Sequence, residues 1–271
     1  MKSKKTIFYV VLISVALAML VPFFWSIYAS LVKNDLDVPD FPLSIDKYGF
    51  NNYSYILTSS NVGRWYINSI IVTLTITASN LLLNSMAGYA LARIRFIART
   101  FFFLLTLGIM MVPVQIQLIP IFVMMVNLGW LDTYFALIIP FMVNPFGVFL
   151  MRQFYLQFPS ELEDAARIDG LSRIGIFFKI AFPLAKPALV AQAIFIFVWN
   201  WNSFIFPSIL VSSPKMFTLP VGIYQLSNTA YTASITKSMA GVVLMTIPTV
   251  LFFVIFQRYF VKGVTGAGIK G

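Results

Sequence analysis

The chain has 271 residues, 59% of them hydrophobic and only 10% charged, with a formal net charge of +10 and neither Cys nor His. Soluble domains carry about 25% charged residues, so this chain cannot cover itself with polar surface and requires lipid as its solvent. The missing residue types exclude disulfides, thiolate nucleophiles, His-based metal sites and His proton relays, and the basic excess suits cytoplasmic loops better than nucleic acid.

Two architectures satisfy backbone hydrogen bonds in lipid, helix bundles and closed barrels. Barrel strands alternate apolar and polar residues, whereas this chain has long unbroken apolar runs and a mean hydropathy of +0.87. The expected fold class is therefore an all-α integral membrane protein forming one transmembrane domain over 1–271. A span needs roughly 20 apolar residues, which predicts six: 7–31, 65–91, 101–126, 133–151, 187–211 and 239–257. Lys2, Lys4 and Lys5 precede the first, which is too long for a signal-peptide apolar region and is kept as a span.

Charge sets the expected orientation. With both termini cytoplasmic, Lys33, Lys47, Arg64, Lys215 and Lys237 balance Asp35, Asp37, Asp40, Asp46 and Asp132 outside, so the whole +10 falls inside, as the positive-inside rule requires. None of the six spans contains Asp, Glu, Lys or Arg. Proton relays use such groups, so a proton-driven mechanism is disfavoured; sodium coupling through carbonyl oxygens stays open. The third span carries Pro113, Gln115, Gln117 and Pro120. Asn144 and Pro145 lie in the fourth, and Asn200, Trp201, Asn202, Ser203 and Pro207 in the fifth. Amides and an aromatic face suit a neutral, hydroxyl-rich solute. Singly, these residues also read as kinks and interhelical hydrogen bonds. Gln115, Gln117, Asn144, Asn200, Trp201 and Asn202 are the candidate solute path.

The longest inner loop, 152–186, carries the sharpest local signals. Ser160 and Glu163 have capping-box spacing after Pro159, and Glu161, Glu163 and Asp164 complement the start of a helix dipole. The helix should run to Asp169 and stop at Gly170. A second short helix, with Ile174, Phe177 and Phe178 on one face, should end at Pro183. A cytoplasmic helix–Gly–helix between spans suits a docking element, with Leu162, Ala165 and Ala166 on the approach face. An interfacial helix lying on lipid is the bland alternative, which acids in its first turn oppose.

The run Glu161-Leu-Glu-Asp-Ala-Ala-Arg-Ile-Asp-Gly170, with Phe182-Pro-Leu184, resembles the EAA-x3-G loop of ABC importer permeases. Asn68-Ser69, Ala87-Gly-Tyr-Ala-Leu-Ala-Arg-Ile-Arg-Phe96, Val112-Pro-Val-Gln-Ile-Gln-Leu-Ile-Pro-Ile-Phe122, Leu128-Gly-Trp-Leu-Asp-Thr133, Met216-Phe-Thr-Leu-Pro220 and Gln257-Arg-Tyr-Phe-Val-Lys-Gly263 extend the likeness to MalG-type carbohydrate permeases. Asp164 stands where the family usually has the Glu of EAA. The resemblance implies a type I importer permease domain in the cell membrane of a bacterium or archaeon. It further implies pairing with a second, non-identical permease, two copies of a cytoplasmic ABC ATPase and an extracytoplasmic sugar-binding protein. Glu161, Glu163, Asp164, Ala165, Ala166, Asp169 and Gly170 would then couple to the ATPase. The chain has no G-x-x-x-x-G-K-[ST] phosphate loop, so ATP and Mg belong to the partner and no cofactor is expected here. A di- or oligosaccharide is the expected solute, with sn-glycerol-3-phosphate an outside option. The competing reading is an ion-coupled secondary transporter of a neutral polar solute.

Reporter fusions within 35–63 and after Ser212 should read as external, and fusions after Arg95, Ser172 and Lys270 as internal. A consistent inversion of these signals would remove the orientation.

Overall fold

The structure, a computed structural model, describes the backbone of residues 2–38, 44–58, 61–229 and 232–268, and side chains over 5–38, 44–58, 61–227 and 234–255. In chain order the helices are α1 (Lys2–Leu31), α2 (Asn51–Thr58), α3 (Val62–Arg93), α4 (Arg99–Met110), α5 (Leu118–Asn127), α6 (Tyr134–Ile138) and α7 (Pro145–Leu156). Next come α8 (Ser160–Ile168), α9 (Arg173–Ile176), α10 (Phe182–Leu184), α11 (Lys186–Trp201), α12 (Ile205–Leu210), α13 (Leu219–Ser227) and α14 (Ile235–Gly268). A two-residue antiparallel ladder, β1 (Asn228–Thr229) with β2 (Thr232–Ala233), puts Thr229 opposite Thr232. Among the described residues four stretches are long and apolar enough to cross a membrane: Lys5–Leu31, Val62–Arg93, Tyr134–Leu156 and Ile235–Ile255. Two bent pairs raise this to six if each is one span. From Ile7 to Ile27, α1 leaves its large apolar side chains exposed, an arrangement that is stable only with lipid around it.

The third and fifth predicted spans are both interrupted. The third is two helices, Arg99–Met110 and Val114–Asn127, meeting at 97°. The cause is local: Pro113 lacks an N–H and pushes Val112 out of the helical region. The chain closes α4 with tight turns, Met111 N–H donating to Gly108 O at 3.1 Å and Val112 N–H to Ile109 O at 3.1 Å. The fifth ends as a regular helix at Trp201 and restarts at Ile205. Its bend of 75° falls earlier, between Arg173–Leu184 and Lys186–Trp201. The run that carries Pro183 ends one residue later, at Leu184, close to the expected end. Ile174, Phe177 and Phe178 do not share a face. Phe177 is buried, whereas Ile174 is 72% and Phe178 46% exposed, and a wide π turn follows over Phe177–Ala181.

The chain divides into two units, Met1–Trp65 with Leu219–Pro248, and Tyr66–Thr218 with Thr249–Gly271. In the first, Asn52 donates to Ser30 O (3.0 Å) and Val32 O (2.8 Å), tying α2 to the end of α1. Asp35 accepts from the Thr236 N–H at 2.7 Å, at the start of α14. Burial opposes ionisation of Asp35, but hydrogen bonds from Thr236 and Ser234, with the charge of Lys237, hold its pKa below the ordinary carboxylate value.

In the second unit, polar clasps connect segments far apart in sequence. Asn68 donates to Lys215 O (2.9 Å) and Phe217 O (2.8 Å) and accepts from the Tyr134 hydroxyl at 2.6 Å. Asp132 adopts the left-handed region with φ 61° and accepts from Ser212 N–H (3.1 Å) and Ser213 N–H (2.9 Å) just beyond α12. An apolar cluster of Tyr89, Ala92, Met151, Tyr155, Phe177 and Ala181 packs the ends of α3 and α7 against the π turn. Trp201 is 2% exposed and stacks on Phe197 at 5.8 Å, which in turn stacks on Phe252 at 3.8 Å. Removing this ring empties a closed site. Trp201→Ala should destabilise the protein by about 3–5 kcal/mol, read as an earlier unfolding transition in detergent.

Candidate functional site

A cavity of about 740 Å³ lies within the second unit, inside the roughly 300–1,000 Å³ typical of small-molecule sites. It is walled by α3 and α11, the α4–α5 bend, the α6–α7 break and the Ser203–Pro207 segment, and among the described residues no Asp, Glu, Lys or Arg lines it.

The α6–α7 break is held by a chain of amides. Asn80 donates to Ile76 O (2.8 Å) and Phe141 O (2.7 Å). Asn84 donates to Asn80 Oδ1 (3.0 Å) and its own Oδ1 accepts the Asn144 N–H (3.1 Å). Asn144 Oδ1 caps α7 by accepting the Gly147 N–H at 3.0 Å. Asn80 and Asn84 are fully buried, so these bonds satisfy backbone that the break removes from the helical ladder.

Of the predicted path residues, Gln117, Asn144 and Asn200 line the cavity, while Gln115, Trp201 and Asn202 do not. Gln115 is exposed elsewhere. Trp201 belongs to the aromatic stack. Asn202 is exposed, its amide turned back to Val198 O at 2.8 Å. The tryptophan that does line the cavity is Trp199, 69% exposed. Two positions on a helix differ by about 200°, so Trp199 and Trp201 point to nearly opposite sides of α11. Ser203, noted in the fifth span, lines the cavity as well, and sequence reasoning did not assign Ser69, Thr73, Asn80, Gln192 and Thr218, all on the lining. For α3 the signal was present: Ser69, Thr73, Thr77, Asn80 and Asn84 recur at helical spacing inside an apolar run.

The second candidate element is α8. The expected capping box does not form: Ser160 is already helical, Pro159 takes the cap position, and no side chain caps the end. Glu163 is drawn away by Arg93, at the end of α3. Arg93 Nε lies 2.7 Å from Glu163 Oε1, and the pair is nearly enclosed. Arg93 also donates to Phe158 O (3.1 Å) and Pro159 O (3.4 Å). At the other end the predicted stop holds. Gly170 has φ +78°, its N–H donates to Arg167 O (3.0 Å), and the Leu171 N–H donates to Ala166 O (3.0 Å), the bonding pattern of a Schellman cap.

This geometry corrects the expected approach face. Glu163 and Ala166 are buried in the chain itself, three residues apart on the inward side of α8. Glu161, Leu162, Asp164, Ala165, Ile168, Asp169 and Gly170 are exposed, with Ile168 87% accessible. Arg167 bridges the two sets, 3.5 Å from Glu163 Oε2 and 3.1 Å from Asp164 Oδ1.

Residues 84–266 match the family model described as "Binding-protein-dependent transport system inner membrane component". The chain belongs to that family. It is 44% identical over 222 residues to the arabinooligosaccharides transport system permease protein AraQ of Halalkalibacterium halodurans, covering 82% of this chain and 79% of the relative. It is 33% identical over 264 residues to the trehalose/maltose transport system permease protein MalG of Thermococcus litoralis, covering 96% and 94%. A chain of a bacterial ABC transporter involved in import of the acidic polysaccharide alginate superposes with a TM-score of 0.79 at 24% identity, covering 94% of this chain and 95% of that one. The fold is thus that of an ABC importer permease, a multi-pass membrane protein.

In this permease, the Arg93–Glu163 pair fixes α8 to α3. Breaking an enclosed ion pair by removing one partner costs about 3 kcal/mol. Arg93→Ala should therefore loosen α8, seen as faster proteolysis within 157–172 and an earlier unfolding transition. The reversed pair, Arg93→Glu with Glu163→Arg, should recover part of the loss; no recovery would mean that Arg93 acts through the Phe158 and Pro159 carbonyls alone.

Proposed function

We propose that this permease carries a neutral carbohydrate, a di- or oligosaccharide, across the cell membrane in an ATP-driven importer. The observation that carries the reading is the cavity: hydroxyl- and amide-bearing side chains with aromatic faces, no charged residue, and a size suited to sugar rings. The names of the similar permeases, several of them for oligosaccharides, support it. A charged solute such as sn-glycerol-3-phosphate, carried by a related permease of Yersinia pestis, would call for a cation at the cavity wall. A secondary transporter would place coupling charges in the spans.

On this reading the chain pairs with a second, non-identical permease and receives solute from an extracytoplasmic binding protein. Two copies of a cytoplasmic ABC ATPase supply ATP and Mg chemistry. Both termini are cytoplasmic, by the charge argument. Gln117, Asn144 and Asn200 belong to the solute path, while Gln115, Trp201 and Asn202 serve packing and helix ends. The exposed face of α8, with Glu161, Asp164, Ala165, Asp169 and Gly170, docks on the ATPase. Glu163 and Ala166 hold that helix to the permease. Rigidity supports the role, because a helix tied at one end to Arg93 and closed at the other by Gly170 transmits force instead of bending.

Proteoliposomes containing the whole complex should take up sugar when ATP is inside and keep doing so with a protonophore present. Uptake by this chain alone on a proton or sodium gradient would reverse the assignment. Gly170→Val places a branched side chain at positive φ, costing roughly 1–2 kcal/mol, and Asp164→Lys inverts a charge on the exposed face. Each should release the ATPase or abolish solute-stimulated hydrolysis. Normal pull-down and normal stimulation in both would leave α8 without a coupling role.

A further inference from the structure

The amides around the cavity are not equivalent. Asn80, Asn84 and Asn144 are committed to backbone and to one another. Gln192, on α11, is 2% exposed, lines the cavity, and has no hydrogen-bond partner for either its Oε1 or its Nε2 among the described residues. Native proteins pair buried polar groups, and a side chain with both ends unpaired calls for a role beyond packing. The backbone opposite supports one. A Cβ at Gly147 would overlap both Asn84 Nδ2 and Gln192 Nε2, so glycine there keeps room for Gln192 against α7.

Resting on the carbohydrate reading above, we propose that Gln192 is the solute-recognising amide of the cavity, and that the asparagine network is its scaffold. An amide offers an acceptor and a donor side by side. Two neighbouring ring hydroxyls can answer them, one donating to Oε1 and the other accepting from Nε2. Thr218 contributes an unpartnered buried hydroxyl on the same lining. Phe195 and Trp199 follow Gln192 at helical spacing on α11 and are 55% and 69% exposed. They present apolar faces beside the amide, as the two-faced chemistry of a sugar ring demands.

The test uses the complete importer in proteoliposomes, with radiolabelled arabinotriose, maltose and galactobiose as probes at saturating loaded binding protein. Gln192→Met keeps the length of the side chain and removes both polar atoms. The expected result is at least a tenfold fall in sugar moved per ATP hydrolysed. Thr77→Val is the control: Thr77 is also a buried, unpartnered hydroxyl, but it lies off the lining, and the variant should keep the wild-type ratio. A wild-type ratio in Gln192→Met overturns the assignment. So does failure of Gln192→Met to assemble while Thr77→Val assembles, since the amide would then serve folding. If the wild-type complex moves none of the three sugars, the carbohydrate reading falls and takes this assignment with it.

Discussion

Every break in a membrane helix leaves backbone groups that lipid cannot satisfy, and the rest of this structure depends on how α3 meets that need. Asn80 and Asn84 on α3 bond to Phe141 O and the Asn144 N–H at the one place where the Tyr134–Leu156 span loses its regular ladder. Each unpaired backbone group would cost several kcal/mol in hydrocarbon. Two asparagines one turn apart therefore allow a span to be interrupted, and the interruption creates room beside α3. Asn68, farther along the same helix, does equivalent work at Lys215 and Phe217. The polar stripe of α3 is thus the support of the cavity more than its lining.

The other end of α3 holds the exposed helix. Arg93 closes on Glu163 and on two carbonyls that precede α8. One continuous helix thereby carries the cavity scaffold and the anchor of α8, with Tyr89 and Ala92 packed between them against α7 and the π turn. Between the Arg93–Glu163 pair and the Asn80–Asn84 amides the backbone of α3 is one unbroken helix. That helix, α3, is 32 residues long.

What could be read from the sequence divides along the range of the interactions. Gly170 as a helix stop and Pro113 as a bend are local properties of residue type, and each was legible. The direction of Glu163 was not. Capping-box spacing is a local signal, but a guanidinium 70 residues away in sequence offers a stronger, charge-assisted bond. The choice between Trp199 and Trp201 failed for another reason: both sit on one apolar helix, and only tertiary packing decides which side faces the cavity. The π turn at Phe177–Ala181 escaped because a pattern read at 3.6 residues per turn does not register one extra residue. Gln192 stands alone in an apolar run, and in sequence it looks the same as a glutamine making interhelical bonds.

The economy of free polar groups at the cavity bears on how a solute moves through it. A site that holds a sugar by many amides would bind tightly and release slowly, and conduction requires binding weak enough to leave. Here most of the amides near the cavity are already engaged within the protein, by Ile76, Phe141, the α7 cap or Ile196. Few unpartnered atoms remain to meet hydroxyls, and the aromatic faces add contact without direction. On the proposed carbohydrate reading, such a wall would favour a ring with neighbouring hydroxyls over an apolar or charged solute. Affinity is then better supplied by a separate binding protein, and the energy for direction by ATP. On the proposed reading, that division of labour is a physical reason for the cavity wall to stay neutral and for most of its amides to be paired.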